Sequence, residues 1–384
     1  MTGVALSAVE TSGGTGPHVD FDLHGIVGIR VLDARPADVG TVTRQLGPLV
    51  APLGREPDIT VRFVDELPES RPMTYATWPE CAAAGDDFYL LRGKDGVAAR
   101  TLLTIDEDGD ACQVICERRA GHVPHLLALV NLIALRRGVL PLHASAFVHR
   151  GVGVLATGWG KGGKTETLLA FAQRGARYVG DEWVYLTPDG GMHGVPEPIR
   201  LWAWYVEQLP GLRAGLSAAT RARLGALPAM ARSADGLAAR LGGLPASVLR
   251  RAAPVLRRQA HVQVPPSRLF GEDAIALHGR VDHVLFVVSH DRDDVSIDPI
   301  DGASVAGHML ASLEEERTPI LAVYRQFRFL FPERRVAAIE DAASIERRLL
   351  EAYLSDRPAH VLRHPYPVDL TSLVGPVETV LVPS

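Results

Sequence analysis

Lysine is nearly absent from this chain. Of forty basic residues only Lys94, Lys161 and Lys164 are lysine, and the rest are arginine. Cysteine is equally scarce, limited to Cys81, Cys112 and Cys116. Three thiols build no disulfide framework, and the C-x-x-x-C spacing of the last two lacks the partner pair of a zinc site. They read as reduced structural thiols of a cytoplasmic protein. Long hydrophobic runs are missing as well, since no stretch approaches the ~18 apolar residues of a membrane span. Met1–Pro17 has no basic segment followed by an apolar one, so it reads as a short disordered leader rather than a signal peptide. Neither sign of charge dominates: a formal net charge of −5 gives no global attraction for nucleic acid or anionic lipid. What remains, 384 residues that are 47% apolar and 22% charged, is an ordinary globular chain long enough for two domains.

The scarce lysines are concentrated. Lys161 and Lys164 both fall in Gly158-Trp159-Gly160-Lys161-Gly162-Gly163-Lys164-Thr165, which reads G-x-x-x-x-G-K-T, a phosphate-cradling P-loop. Such a loop wraps backbone N–H groups around a β-phosphate, and a compact ammonium reaches the β- and γ-phosphates where the wide fork of arginine fits poorly. The motif needs a strand before it and a helix after it. Gly153–Thr157 supplies an apolar strand, and Lys164–Arg174 supplies a helix with Leu168, Leu169 and Phe171 on its apolar positions and Gly175 as its C-cap. The helix N-terminus then directs its partial positive charge at the phosphates. The expectation is nucleoside triphosphate binding, with ATP favoured because no guanine-reading N-K-x-D motif is present.

Before this core, residues from about 18 to 120 predict a small α+β domain. Strand-like runs are Phe21–Val31, Ile59–Val64, Phe88–Leu91, Ala98–Ile105 and Cys112–Glu117, with a helix between Pro36 and Leu53. Asp106, Asp108, Asp110 and Glu117 have the spacing of a calcium loop, but Ala111 replaces its turn glycine and the flanks are strand-like. An ordinary hairpin turn is expected. Pro124–Arg137 predicts a helix, and His122 and His125 mark its start rather than a metal site. The P-loop domain then occupies about 121–384. Within it, 205–259 is rich in Ala, Leu and Arg, with nine arginines against Glu207 and Asp235, and with breaks at Pro210-Gly211, Pro228, Gly242-Gly243 and Pro254. This stretch is either a solvated helical hairpin or a basic element that attracts an anionic acceptor. Val284–Val288 predicts a central strand, and helices are expected near Ser304–Glu316 and Asp341–Ser355.

Phosphate chemistry also needs carboxylates. Ala176–Val179 reads as the strand after the P-loop helix, and it runs into Gly180-Asp181-Glu182. Carboxylates at a strand's C-terminal end beside a P-loop stand where water, metal and acceptor meet, and two adjacent ones can divide proton transfer and metal anchoring between them.

Taken together, Gly151-Val152-Gly153-Val154-Leu155, Gly163-Lys164-Thr165-Glu166-Thr167-Leu168 and Gln173-Arg174-Gly175-Ala176-Arg177-Tyr178-Val179-Gly180-Asp181-Glu182 resemble the catalytic core of HPr kinase/phosphorylase. That family has G-V-G-V-L, a P-loop ending in G-K-S-E-T, and an R-G-x-x-L-V-x-D-D run at the same spacing. The likeness is firm from about Pro141 to Arg200 and looser to Phe286. It implies an α/β, HPr-kinase-like P-loop core carrying the small N-terminal α+β domain and the helical insertion. It also implies Asp181 as general acid/base, His143 as an auxiliary beside the γ-phosphate and Lys164 on the transferred group. Glu197 and Arg200 align with a later E-I-R motif across an interrupting proline, and Arg268 aligns with an arginine after a V-P segment. Trp159 and Lys161 replace small loop residues, Glu182 replaces the second aspartate, and the basic stretch near Leu212–Arg258 is unlike the carbohydrate regulator. These departures point away from HPr as substrate and towards the broader HPr-kinase-like group, some of which modify peptides or small molecules.

The expected function is therefore an ATP- and Mg²⁺-dependent kinase acting on a serine-type hydroxyl of a peptide, protein or small molecule, with neither nucleic acid nor membrane as partner. Gly158, Trp159, Gly160, Lys161, Gly162, Gly163, Lys164, Thr165 and Glu166 would bind ATP, and Thr165 and Glu182 would hold Mg²⁺. The rival is an ATP-dependent switch or assembly factor that transfers no phosphate. A homo-oligomer stays open.

Overall fold

The computed structural model describes residues 17–68, 71–241 and 243–381. The leader expected at Met1–Pro17 lies outside them, apart from Pro17. The fold is mixed α/β with several mixed sheets, and among the described residues no helix is long and apolar enough to cross a membrane.

The chain divides into two compact units, Met1–Pro141 with Leu313–Leu350, and Leu142–Ser312 with Glu351–Ser384. The first is built on an eight-stranded sheet in the order His18–Leu23, Val27–Leu32, Ile59–Val64, Cys112–Glu117, Ala98–Ile105, Asp87–Arg92, Cys81–Ala84, Thr74–Thr77. The single run expected at Phe21–Val31 is a hairpin, because His24 and Gly25 both turn through positive φ. The acidic run after Ile105 is a hairpin turn: Asp106 N–H donates to Ala111 O at 3.2 Å, and strands lie on both sides. Burial pushes all three cysteine thiols well above their ordinary pKa, which suits inert packing groups. The helix Leu126–Arg136 packs on Val27–Leu32, on Pro36–Leu46 and on Ala337–Glu340. For that reason 121–141 and 313–350 belong to this unit, whereas the sequence reading ended the first domain near residue 120.

The second unit is organised by a nine-stranded sheet. Its path runs His278–Arg280, Gly191–Gly194, Trp183–Leu186, Leu140–His149, Val152–Thr157, His283–His290, Ala359–Pro365, Ser296–Pro299, and Arg177–Gly180 also pairs with Leu140–His149. Strand direction sets which residues meet. Val152–Thr157 runs antiparallel to Leu140–His149 and parallel to His283–His290, which is itself parallel to Ala359–Pro365. Arg177–Gly180 is antiparallel to Leu140–His149 and hence parallel to Val152–Thr157. The residues after Thr157, Gly180, His290 and Pro365 therefore emerge at one edge, where the first half of Leu140–His149 also lies. The helix Lys164–Ala172 covers the sheet, with Phe171 stacked on Phe147 at 4.8 Å between ring centres and Leu168 and Leu169 fully buried.

The basic insertion is helical: Ala203–Gln208, Pro210–Gly215, and a hairpin of Ala218–Arg240 and Gly243–Gln259. Pro228 and Pro254 lie inside the two long helices rather than breaking them. Pairing along the hairpin, where Ala231, Ala234 and Ala253 form a small core, offsets the ~3 kcal/mol that an interior proline costs. After the hairpin, His261–Val264 pairs with Ile199–Trp202 in a separate two-stranded ribbon. The helix expected over Ser304–Glu316 extends to Gly302–Leu330 and includes Arg325–Arg328, because Pro319 does not stop it.

Candidate active site

The glycine-rich loop is shaped by what it passes. Gly158 has φ 151°, and a Cβ there would sit 2.4 Å from the carbonyl oxygen of Val287 on the neighbouring strand. Gly163, at φ 113°, begins the helix, and a Cβ there would meet His364 Nε2 at 1.9 Å. Only glycine lets the backbone pass both neighbours. Gly163→Ala is accordingly expected to distort the loop and lower the melting temperature, as thermal unfolding would reveal.

Inside the loop lies Lys164, only 6% exposed. Its ammonium donates to Gly158 O at 3.2 Å and to Trp159 O at 2.9 Å. Gly162 N–H also donates to Trp159 O at 3.0 Å, and Gly162 O faces His364 Nε2 at 3.0 Å. A buried cation is thus held by two carbonyls at a helix N-terminus, an arrangement suited to anions. The Trp159 side chain points outward, 54% exposed, and Lys161 is exposed with φ 64°. Glu166, in the first helical turn, is buried and accepts a hydrogen bond from the Tyr205 hydroxyl at 2.7 Å.

Asp181 follows Gly180 at the same sheet edge. It is 3% exposed and accepts hydrogen bonds from Ser145 Oγ and from Thr165 Oγ1, the latter at 3.2 and 3.3 Å. Burial, with the negative charge of Glu182 beside it, pushes its carboxyl up to about 6. Glu182 takes the left-handed conformation, φ 66°, which lets two adjacent side chains line one cleft instead of opposite faces. Its carboxylate, 54% exposed, meets His143 Nε2 at 3.1 Å, and this contact above all holds its pKa below the ordinary value. Two neighbouring carboxyls are therefore driven apart, one towards holding a proton and one towards staying ionised, which is how an acid/base pair is assembled.

These residues meet in a cleft of about 200 Å³ lined by Gly160, Lys161, Gly163, Lys164, Thr165 and Glu166 on one side and His143, Asp181 and Glu182 on another. Arg200 lines it as well. Glu197 has an Oε1 atom buried without a hydrogen-bond partner, and its carboxyl is pushed well up by burial and then by Glu182 and Asp181. Arg268, in the short helix Ser267–Phe270, does not line the cleft. Sequence reasoning missed Ser145, Tyr205, Tyr366 and His364. Ser145 was within reach, because a strand puts it on the same face as His143. The other three carry no local signal.

Among the described residues no group of three or more His, Cys, Asp or Glu is arranged to hold a metal ion. Mg²⁺ asks for less: it is commonly held through one or two protein oxygens, with water and substrate phosphates completing the shell. The Thr165 hydroxyl and the ionised Glu182 carboxylate are hard oxygen donors of that kind and both line the cleft. No protein-family model matches the chain, and a search of curated proteins finds no match.

Proposed function

We propose that this chain is an ATP- and Mg²⁺-dependent phosphotransferase with an HPr-kinase-like P-loop core, moving the γ-phosphate of ATP to a hydroxyl of a peptide, protein or small-molecule acceptor. One observation carries the reading. The buried ammonium of Lys164, the Thr165 hydroxyl and the proton-seeking carboxyl of Asp181 line a single cleft at a helix N-terminus. Backbone amides of Gly158–Lys164 cradle the β-phosphate. Lys164 exchanges the carbonyls of Gly158 and Trp159 for phosphate oxygens and offsets charge on the transferred group. Asp181 takes the acceptor's hydroxyl proton as that oxygen bonds to the γ-phosphorus. The bond from phosphorus to the β-phosphate oxygen breaks, and ADP leaves. Thr165 and Glu182 would hold Mg²⁺, which would supply charge neutralisation for the phosphates. His143 positions Glu182 through their 3.1 Å contact, and Ser145 orients Asp181. Positioning and electrostatics supply most of the rate.

The test is ADP release from Mg-ATP by the full chain, with and without soluble extract of the source cell. Extract-stimulated release with a phosphorylated product supports the kinase. Tight ATP binding with slow release that ignores extract and survives Asp181→Asn would make the protein a nucleotide-dependent switch.

A further inference from the structure

A second cavity, of about 500 Å³, shares Lys161, Trp202 and Tyr366 with the cleft around Asp181. One wall is aromatic. Trp204 lies against Tyr205 at 3.9 Å between ring centres and edge-on to Tyr366 at 5.9 Å, and Tyr366 is 50% exposed. The long helical hairpin supplies further lining: Pro228 and Arg232 from its first helix, and Arg257 and Arg258 from the last turn of its second.

The charge of this cavity is unbalanced. Arg257 is paired with Asp235, but among the described residues Arg232, Arg258 and Lys161 form no ion pair, and Glu207 is the single acid in the lining. Three cations without an ion pair against one acid leave the lining net positive, which favours an anionic occupant. ATP does not account for Arg232 and Arg258, because its phosphates belong to the glycine-rich loop, Lys161 included, and its nucleoside is neutral. The aromatic rings, Pro228, Ala203 and Ala260 offer more apolar surface than a small polyacid can cover, and the volume falls within the ~300–1,000 Å³ of ligand pockets.

We propose that this cavity is the acceptor subsite, and that it selects an acidic peptide segment whose hydroxyl enters the adjoining cleft to face Asp181. The inference rests on the phosphotransferase reading for the word acceptor, but its charge preference can be measured separately. Three pentapeptides with a central serine, flanked by Asp, Asn or Lys, would be titrated into the full chain with Mg²⁺ and a non-hydrolysable ATP analogue. Binding would be followed by calorimetry, and transfer separately with ATP.

The Asp-flanked peptide should bind about tenfold or more tighter than the Asn-flanked one, with an advantage that shrinks as salt rises. The Arg232→Gln/Arg258→Gln variant should lose most of that advantage while its ATP affinity stays within about threefold. Equal binding of all three peptides, or binding of none, overturns the subsite. So does a variant that loses affinity for ATP rather than for peptide, since the cavity would then hold the nucleotide. Selective binding of the acidic peptide without phosphate transfer keeps the subsite and counts against the phosphotransferase. Transfer without charge preference does the reverse.

Discussion

Asp181→Asn is expected to abolish phosphate transfer, by about 10²–10⁴-fold in kcat, while raising the stability of the fold. The two effects share one cause. Asp181 is buried beside Glu182, and its carboxyl is raised from 3.8 to about 6. Between those values the folded protein holds a proton that the unfolded chain has released, so stability falls as pH rises through this window and levels off above about 6. A shift of this size corresponds to an upper limit on the order of 3 kcal/mol. Asparagine keeps the shape and can still accept from Ser145 and Thr165, but it carries no charge to desolvate. The variant should therefore melt higher than the parent at pH 8, with the difference shrinking towards pH 4. Its ATP affinity should be equal or better, because a negative charge near the phosphates is gone. In the parent, kcat should climb as pH rises through about 6, following release of the Asp181 proton, and then level off. Equal melting of variant and parent at pH 8 would show that Asp181 bears no desolvation cost, and a flat parent profile would exclude it as the base.

Lys164→Ala should remove nearly all turnover, by about 10²–10³-fold or more in kcat/KM, with much of the ATP affinity. Lys164 is 6% exposed, and its ammonium has the carbonyls of Gly158 and Trp159 as resting partners. Truncation takes the ammonium from both carbonyls, leaving Trp159 O with Gly162 N–H alone, and removes the cation nearest the transferred charge. Lys164→Arg is not expected to rescue it. The loop is already pressed against Val287 and His364, and a planar guanidinium needs more room than a tapered ammonium. Steady-state kinetics with ATP, paired with calorimetric titration of the nucleotide, would measure both losses. A Lys164→Arg variant retaining more than about a tenth of parental turnover would mean that the loop does not confine this side chain.

Much of the local architecture was legible in the sequence. Ile59–Val64, Ala98–Ile105 and Cys112–Glu117 form strands with the expected limits, because alternation and turn residues act over a few positions. The calcium-like acidic run resolved into a hairpin for the reason its sequence suggests, strand-forming flanks. The long helices of the insertion ran through Pro228 and Pro254, and Gly302–Leu330 ran through Pro319, because tertiary packing outweighs a local breaker.

The sequence by itself determined the glycine-rich loop, the helix behind it, and the placing of Asp181 just after the next strand. These follow from backbone freedom at glycine, from helix-forming periodicity and from short chain separations. Only the tertiary structure decided the company those residues keep. His364 reaches Gly162 across 202 positions, and Tyr205 reaches Glu166 across 39. Sheet order and strand direction, not local propensity, bring these partners to one edge. The same holds for the cationic cavity: its arginines read along the chain as a charged helical surface, and line one cavity with Trp202, Trp204 and Tyr366 only in the folded chain.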